Sequence, residues 1–155
     1  MAIVAYMLTW TTYGTWLQGD HRGWVKEGEI YPTNYVLEKT NRGHMRTDSV
    51  LLTKKQRFLA AQAIMAKSAK LGQKIFGLAV CDNHLHLAAE NINMSIGRVV
   101  SNYKHTIRLV LQDNGFCGKL WTKGFDKRYC MEDEQIAHKV AYIRTHEKLN
   151  ACVII

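Results

Sequence analysis

The 155-residue sequence is short of proline, of cysteine pairs, of long apolar runs and of acidic side chains, and each shortage closes off a class of protein. A single proline, Pro32, leaves no room for a proline-rich linker or a collagen-like repeat. Four cysteines, Cys81, Cys117, Cys130 and Cys152, stand far apart with no Cys-x-x-Cys pair. That spacing argues against a zinc knuckle and a disulfide framework, and free thiols, mostly buried, are expected. No apolar run approaches the roughly 20 residues of a membrane span, and the first residues lack the basic-then-apolar plan of a signal peptide. A cytoplasmic protein of one domain, residues 1–155, is therefore expected, with no membrane partner.

Acidic residues number 13 against 21 lysines and arginines, a net charge of +8. Residues 13–50 carry five basic and five acidic side chains, and residues 51–155 carry sixteen against eight, so the whole excess lies in the second part. A surface facing a polyanion such as nucleic acid has this distribution, and so does a protein charged only for solubility.

Residues 2–12 are apolar, β-branched and aromatic without a charge, and read as a central strand. Residues 13–50 have no clean period and hold five glycines and the proline, a long loop insertion of the kind usually kept for function. Tyr13, Trp16, Trp24, Tyr31 and Tyr35 alternate there with His21, Arg22, Lys26, Lys39, Arg42 and Arg46. Such rings can stack on bases or can plug the loop onto the core.

Thr53 and Gln56 form a capping box opening a helix to Leu71, stopped by Gly72, with Phe58, Ala61, Met65 and Ala69 as its buried side. Residues 74–81 read as a strand, Asp82-Asn83 as a tight turn, and the stretch beginning at His84 as its antiparallel partner. A long helix follows over 95–114, with Ile96, Val99, Val100, Tyr103, Ile107 and Val110 as its core stripe and Arg98, Asn102, His105 and Arg108 on its polar side. A strand is expected near 125–131, then a last helix capped by Asp133 and running to about Lys148, with Ile136, Val140 and Ile143 as its apolar stripe.

Two features carry chemistry. On a strand, His84 and His86 project from one face while Leu85 and Leu87 take the other, so two imidazoles can converge on one divalent cation. The same pattern describes two polar residues on the wet face of an antiparallel strand. On the last helix, His138, Tyr142 and His146 fall at four-residue steps and share a face. A phenol there becomes reactive once a base, cation or metal stabilises its phenolate; an ordinary tyrosine at a helix edge has the same spacing.

The order Asp82-Asn83-His84-Leu85-His86, a long helix, Leu120-Trp121 with Gly124-Phe125-Asp126, and Tyr142-Ile143 on a terminal helix resembles the HUH single-tyrosine transposases of bacterial insertion sequences. It is most similar to the REP-associated tyrosine transposases, and Thr11-Thr12-Tyr13-Gly14-Thr15-Trp16-Leu17 with Gly19-Asp20 and Arg22-Gly23 resembles the opening of some of them. The resemblance spans nearly the whole chain. It implies an α+β, ferredoxin-like antiparallel sheet with two helices on one face and the tyrosine-bearing helix near the other. It further implies cleavage of single-stranded, hairpin-associated DNA through a 5′-phosphotyrosine, with a divalent metal ion, magnesium or manganese in the first place and other ions open.

By position, His84 and His86 become metal ligands and Tyr142 the nucleophile. Four residues beyond the tyrosine, where the family has a Gln or Asn that completes the metal site, stands His146, which the resemblance makes the third metal ligand, and the family's Asn-Pro pair is His146-Glu147. The DNA backbone would then be held by Lys104, Arg108, Lys123, Lys127 and Arg128. A homodimer and a place on the nucleoid fit the same reading. The alternatives are a non-catalytic module that binds single-stranded DNA or RNA on the same sheet, and a metal hydrolase acting on a small substrate.

Overall fold

Strand β1 (Ala5–Thr11) sets the two faces of the molecule. Tyr6, Leu8 and Trp10 alternate into a fully buried core, and Met7, Thr9 and Thr11 point the other way. The computed structural model describes residues 2–15, 23–26, 29–45 and 48–155, with backbone only for 24–26.

After β1 the main elements are α2 (Lys54–Leu71), β4 (Ile75–Val80), β5 (His84–Glu90), α3 (Ile96–Asp113) and β6 (Asp126–Cys130). The strands lie in the order β6-β1-β5-β4, with the short β7 (Cys152–Ile154) outside β4, and every neighbouring pair is antiparallel. This is the β-α-β-β-α-β ferredoxin-like arrangement that the motif order implied. Helices α2 and α3 cover one face, where Leu78, Val80, Leu85, Leu87 and Ala89 meet Ile64, Val99, Tyr103 and Ile107.

Local chemistry explains the helix ends. Thr53 and Gln56 make both bonds of the capping box, Gly72 leaves α2 at φ 66, and Ser95 caps α3. The buried side of α2 differs from the one the spacing suggests. Ala60, Ala61, Ala63, Ile64 and Ser68 are buried, whereas Phe58 is 53% exposed and Ala69 lies outside. Apolar residues are spread around this helix, so period alone does not select a face, and its small side is the one that seats against the sheet and α3.

The 13–50 segment is not structureless. It holds a two-stranded ribbon, β2 (Trp24–Lys26) with β3 (Glu29–Tyr31), and α1 (Tyr35–Gly43), capped by Asn34 and braced by Glu38 and Arg42 at 3.2 Å. Nothing in α1 is buried, so its apolar side meets no core. Both ends of the segment are tied to the sheet. The Val50 amide donates to Tyr13 O at 2.9 Å, and the buried Thr12 hydroxyl donates to Val50 O at 2.6 Å and to Asn83 O at 3.2 Å.

Helix α4 (Asp133–Arg144) crosses the second face and continues as a 3₁₀ turn (Thr145–Leu149). The cap position is Glu132, without a side-chain bond, and Asp133 sits in the first turn, where its charge suits the helix dipole. Ile143, fully buried on Met7, Ala79 and Ala88, anchors the helix, a burial that contributes about 1.5–3 kcal/mol. The floor beneath is low because the strands offer alanine and glycine there. A β-carbon on Gly77 would stand 3.4 Å from Ile143 Cδ1. No helix among the described residues is long and apolar enough to cross a membrane.

Candidate active site

The two-residue turn Asp82-Asn83 launches β5 so that His84 opposes Thr11 and His86 opposes Thr9, both on the face that α4 covers. One row across this face reads Asp126, Thr9, His86, Ala79 and Val153. Leu85 and Leu87 take the other face and are fully buried. The wet-strand reading of the histidine pair therefore does not hold for His86, which is only 6% exposed.

The carboxyl end of α4 brings two more side chains to this place. Ring centroids lie 4.8 Å apart for His84 and His86, 4.6 Å for His86 and His146, and 5.9 Å for His84 and His146. The Tyr142 ring lies 5.3 Å from His86 and 5.0 Å from His146. His146 is buried while Tyr142 is 49% exposed, so the phenol stands at the mouth and the imidazoles behind it. His138, one turn earlier, is exposed and faces Glu134 at 4.0 Å, outside this group.

Hydrogen bonds orient the rings. His146 Nδ1 faces the carbonyls of Tyr142 at 3.1 Å and Ile143 at 3.2 Å, and a carbonyl only accepts, so Nδ1 carries a proton and Nε2 is the nitrogen left to the site. His84 Nδ1 pairs with Asn83 Oδ1 at 2.6 Å, which fixes the same tautomer. His86 Nδ1 and the Thr9 hydroxyl are 2.7 Å apart. Partners of this sort on the far nitrogen are what metal-binding imidazoles have. Burial, and then the neighbouring His84 and His146, push His86 down to about 3, so it is neutral at ordinary pH and can offer a lone pair. The donor set fits a divalent cation that accepts nitrogen ligands.

Position and period did not single out Cys81. Its amide donates to His84 O at 2.9 Å across the turn, and its side chain shares the face of the histidines. The donor atoms of Cys81, His84 and His146 all lie within 4.8 Å of one another. Burial, with Asp82 nearby, raises its thiol to about 11. The signal was present in the sequence, because a two-residue turn at Asp82-Asn83 makes Cys81 the cross-strand partner of His84.

The candidate phosphate contacts fall into two groups. Lys104, Arg108 and Lys123 line a cavity of about 440 Å³ on the α3 side, with His105, Trp121 and Phe125. Lys104 Nζ donates to Thr122 O at 3.0 Å and Gly124 O at 2.7 Å, and its burial lowers it to about 8. Arg108 Nη2 meets His105 Nδ1 at 2.9 Å. On β6, Lys127 lies over the Tyr129 ring at 5.6 Å, and Arg128, on the imidazole face opposite Met7, pairs with Asp126 at 3.0 Å. Of the rings and cations in the 13–50 segment, Tyr13 is partly buried beneath Lys119 at 5.0 Å, Tyr31 and Tyr35 are exposed, and Arg42 is paired with Glu38. Trp16, His21, Arg22 and Arg46 lie outside the described residues, as do the side chains of Trp24 and Lys26.

No family model and no curated protein matches the sequence. Among solved structures, the chain is similar to a REP-associated tyrosine transposase bound to a REP hairpin, with a TM-score of 0.55 over 96% of this chain and 69% of that one at 10% identity. The two chains share a fold. A protein of Deinococcus radiodurans R1 assigned as a transposase aligns over 94% of this chain and 92% of its own at 14% identity, with a TM-score of 0.48. On this fold the imidazoles lie under α4, and the basic cavity lies beside α3.

Proposed function

We propose that the protein cleaves and rejoins single-stranded, hairpin-associated DNA as a transposase, with Tyr142 as its nucleophile. The observation that carries this reading is a half-exposed phenol held beside the buried rings of His86 and His146 at the sheet face that also bears His84. His84, His86 and His146 would hold a divalent cation, magnesium or manganese in the family pattern. When bound, such an ion supplies Lewis-acid polarisation of the scissile phosphate.

The chain's own groups do the rest. Thr9, Asn83 and the last carbonyls of α4 hold the imidazoles in one orientation. Ile143 seats α4 so that Tyr142 stands at the mouth. The Tyr142 oxygen gives its proton to solvent and attacks phosphorus; the bond from phosphorus to the 3′ oxygen breaks, and that oxygen takes a proton from solvent and departs as a 3′ hydroxyl. The resulting 5′-phosphotyrosine is an ester of much the same energy, so a second 3′ hydroxyl can reverse the step without ATP. Arg128 on the imidazole face, and Lys104, Arg108, Lys123 and Lys127 around the β6 edge, would hold the strand through its phosphates.

Incubation with labelled hairpin DNA and manganese, followed by a denaturing gel, tests the reading. The wild type should give a covalent adduct, and Tyr142→Phe should bind DNA and manganese without one. Binding with no adduct from the wild type would leave a nucleic-acid-binding module. An adduct from Tyr142→Phe would overturn the choice of nucleophile. Tyr129 is a poor substitute, because it pairs with Tyr6 and so points to the helix-covered face.

A further inference from the structure

We infer that Cys81 supplies a sulfur ligand to the ion held by His84 and His146, making the centre a nitrogen–sulfur site that selects zinc, cobalt or nickel over magnesium. The inference rests on the reading above that the imidazole cluster holds a divalent cation. The thiol is placed by the backbone and not by an accident of rotamer. Cys81 and His84 close the hairpin turn, so their side chains leave neighbouring strands on one face, and Cys81 is 4% exposed in the layer beneath α4. Its Sγ and the nitrogens of His84 and His146 lie within 4.8 Å of one another. With metal–sulfur and metal–nitrogen bonds of about 2.3 and 2.05 Å, donors around a tetrahedral ion sit about 3.4–3.6 Å apart, so separations of at most 4.8 Å have to close by no more than about 1.4 Å.

This donor group does not contain His86, although the His86 ring lies closer to His146 than the His84 ring does. Donor atoms, and not ring centres, make bonds to an ion. The sulfur therefore stands with two of the three imidazoles of the centre, and His86, oriented by Thr9, packs on His146 with ring centroids 4.6 Å apart. No disulfide competes for the thiol. A thiolate and imidazoles suit the later first-row ions and zinc, whereas magnesium prefers oxygen ligands and keeps its water. Binding of the ion releases the thiol proton to solvent.

Cobalt(II) titration of the full chain reads this directly. Thiolate ligation gives a near-ultraviolet sulfur-to-cobalt charge-transfer band, and visible ligand-field bands report the ion whatever its donors. The expected result is one equivalent with both signatures. Cys81→Ser should lose the charge-transfer band, keep the visible bands and bind cobalt at least about tenfold more weakly, with manganese affinity little changed. Cys117→Ser, at the exposed cysteine, should keep both signatures. A charge-transfer band that survives Cys81→Ser, or visible bands that need His84 without any charge-transfer band in the wild type, would overturn the inference and leave the imidazole centre standing. No cobalt bound at all would overturn both. If Cys81→Ser fails to fold, alkylation of the wild type followed by mass spectrometry decides. Zinc should protect Cys81 from iodoacetamide, magnesium should not, and equal labelling of Cys81 with and without zinc would sink the sulfur ligand.

Discussion

Gly77 offers a way to move the tyrosine without touching it. A β-carbon there would meet Ile143 Cδ1 at 3.4 Å, Ile143 Cγ2 at 3.6 Å and Val140 Cγ2 at 3.7 Å, all ordinary contact distances. Gly77→Ala should therefore fit, and by restricting the unfolded chain it should hold or raise stability by up to about 1 kcal/mol. Gly77→Val places two further methyls in space already filled by Ile143, an overpacking that costs about 1–3 kcal/mol. The strain has to be taken up on one side. Strand β4 is laddered to β5 and β7, whereas α4 buries only Ile143, so the helix is the part that yields. Displacement of a reacting group by an ångström costs about a hundredfold in rate, so Gly77→Val should form the DNA adduct about 10²-fold more slowly, with Gly77→Ala within about twofold of wild type. Single-turnover adduct formation beside urea unfolding separates the local effect from the global one. Ile143→Ala combined with Gly77→Val should recover part of the loss, with a coupling of about 0.5–3 kcal/mol. A wild-type rate in Gly77→Val would show that this contact does not position Tyr142, and the argument about α4 would fall.

Three further outcomes are expected. His146→Ala should raise the manganese concentration needed for cleavage, with excess manganese restoring part of the rate, and His146→Gln should be milder because an amide can still coordinate; equal rates for all three proteins across a manganese titration would remove His146 from the centre. If Lys104, Arg108, Lys123, Lys127 and Arg128 each neutralise one phosphate of a single strand, the salt slope is about −3.5, so fluorescence anisotropy should show affinity falling about a hundredfold for a fourfold rise in salt, and a flat response would refute backbone contact. In EDTA the folded chain holds His86 unprotonated down to about 3, whereas the unfolded chain protonates it near 6.5. Its contribution to stability is thus complete above about 6.5 and is lost as pH falls toward about 3, and chemical unfolding of His86→Gln should show a flatter pH profile across that window.

Much of the fold was legible because its signals are local. Period two separates His84 and His86 from Leu85 and Leu87, the capping box and Gly72 bound α2, and the apolar spacing of α3 matches the buried Val99, Val100, Tyr103, Ile107 and Leu111 except at its ends. The elements that escaped are those whose reasons are not local. Strand β7 has three residues and exists because β4 offers it an edge, and α1 is a nine-residue helix set among glycines that buries nothing in the core. The side of α2 that faces inward was decided by the sheet beneath it. The site was legible as three separate pieces, and only tertiary packing says that the end of α4 comes down on β5. Cys81 shows the limit from the other direction, since its place opposite His84 follows from a turn that can be read in the sequence, yet the cysteine spacing drew attention only to what was missing.

The hydroxyl of Thr12 gives the 13–50 segment an unusual independence. Because the chain leaves the sheet and returns to it at one point, with Thr12 bonded to both Val50 and Asn83, the segment behaves as a cassette whose two ends are already stapled together. Doubling the length of such a loop costs only about 0.6 kcal/mol in closure entropy. Its contents can therefore be exchanged or enlarged while the spacing of His84 and His86 stays where the strand ladder sets it.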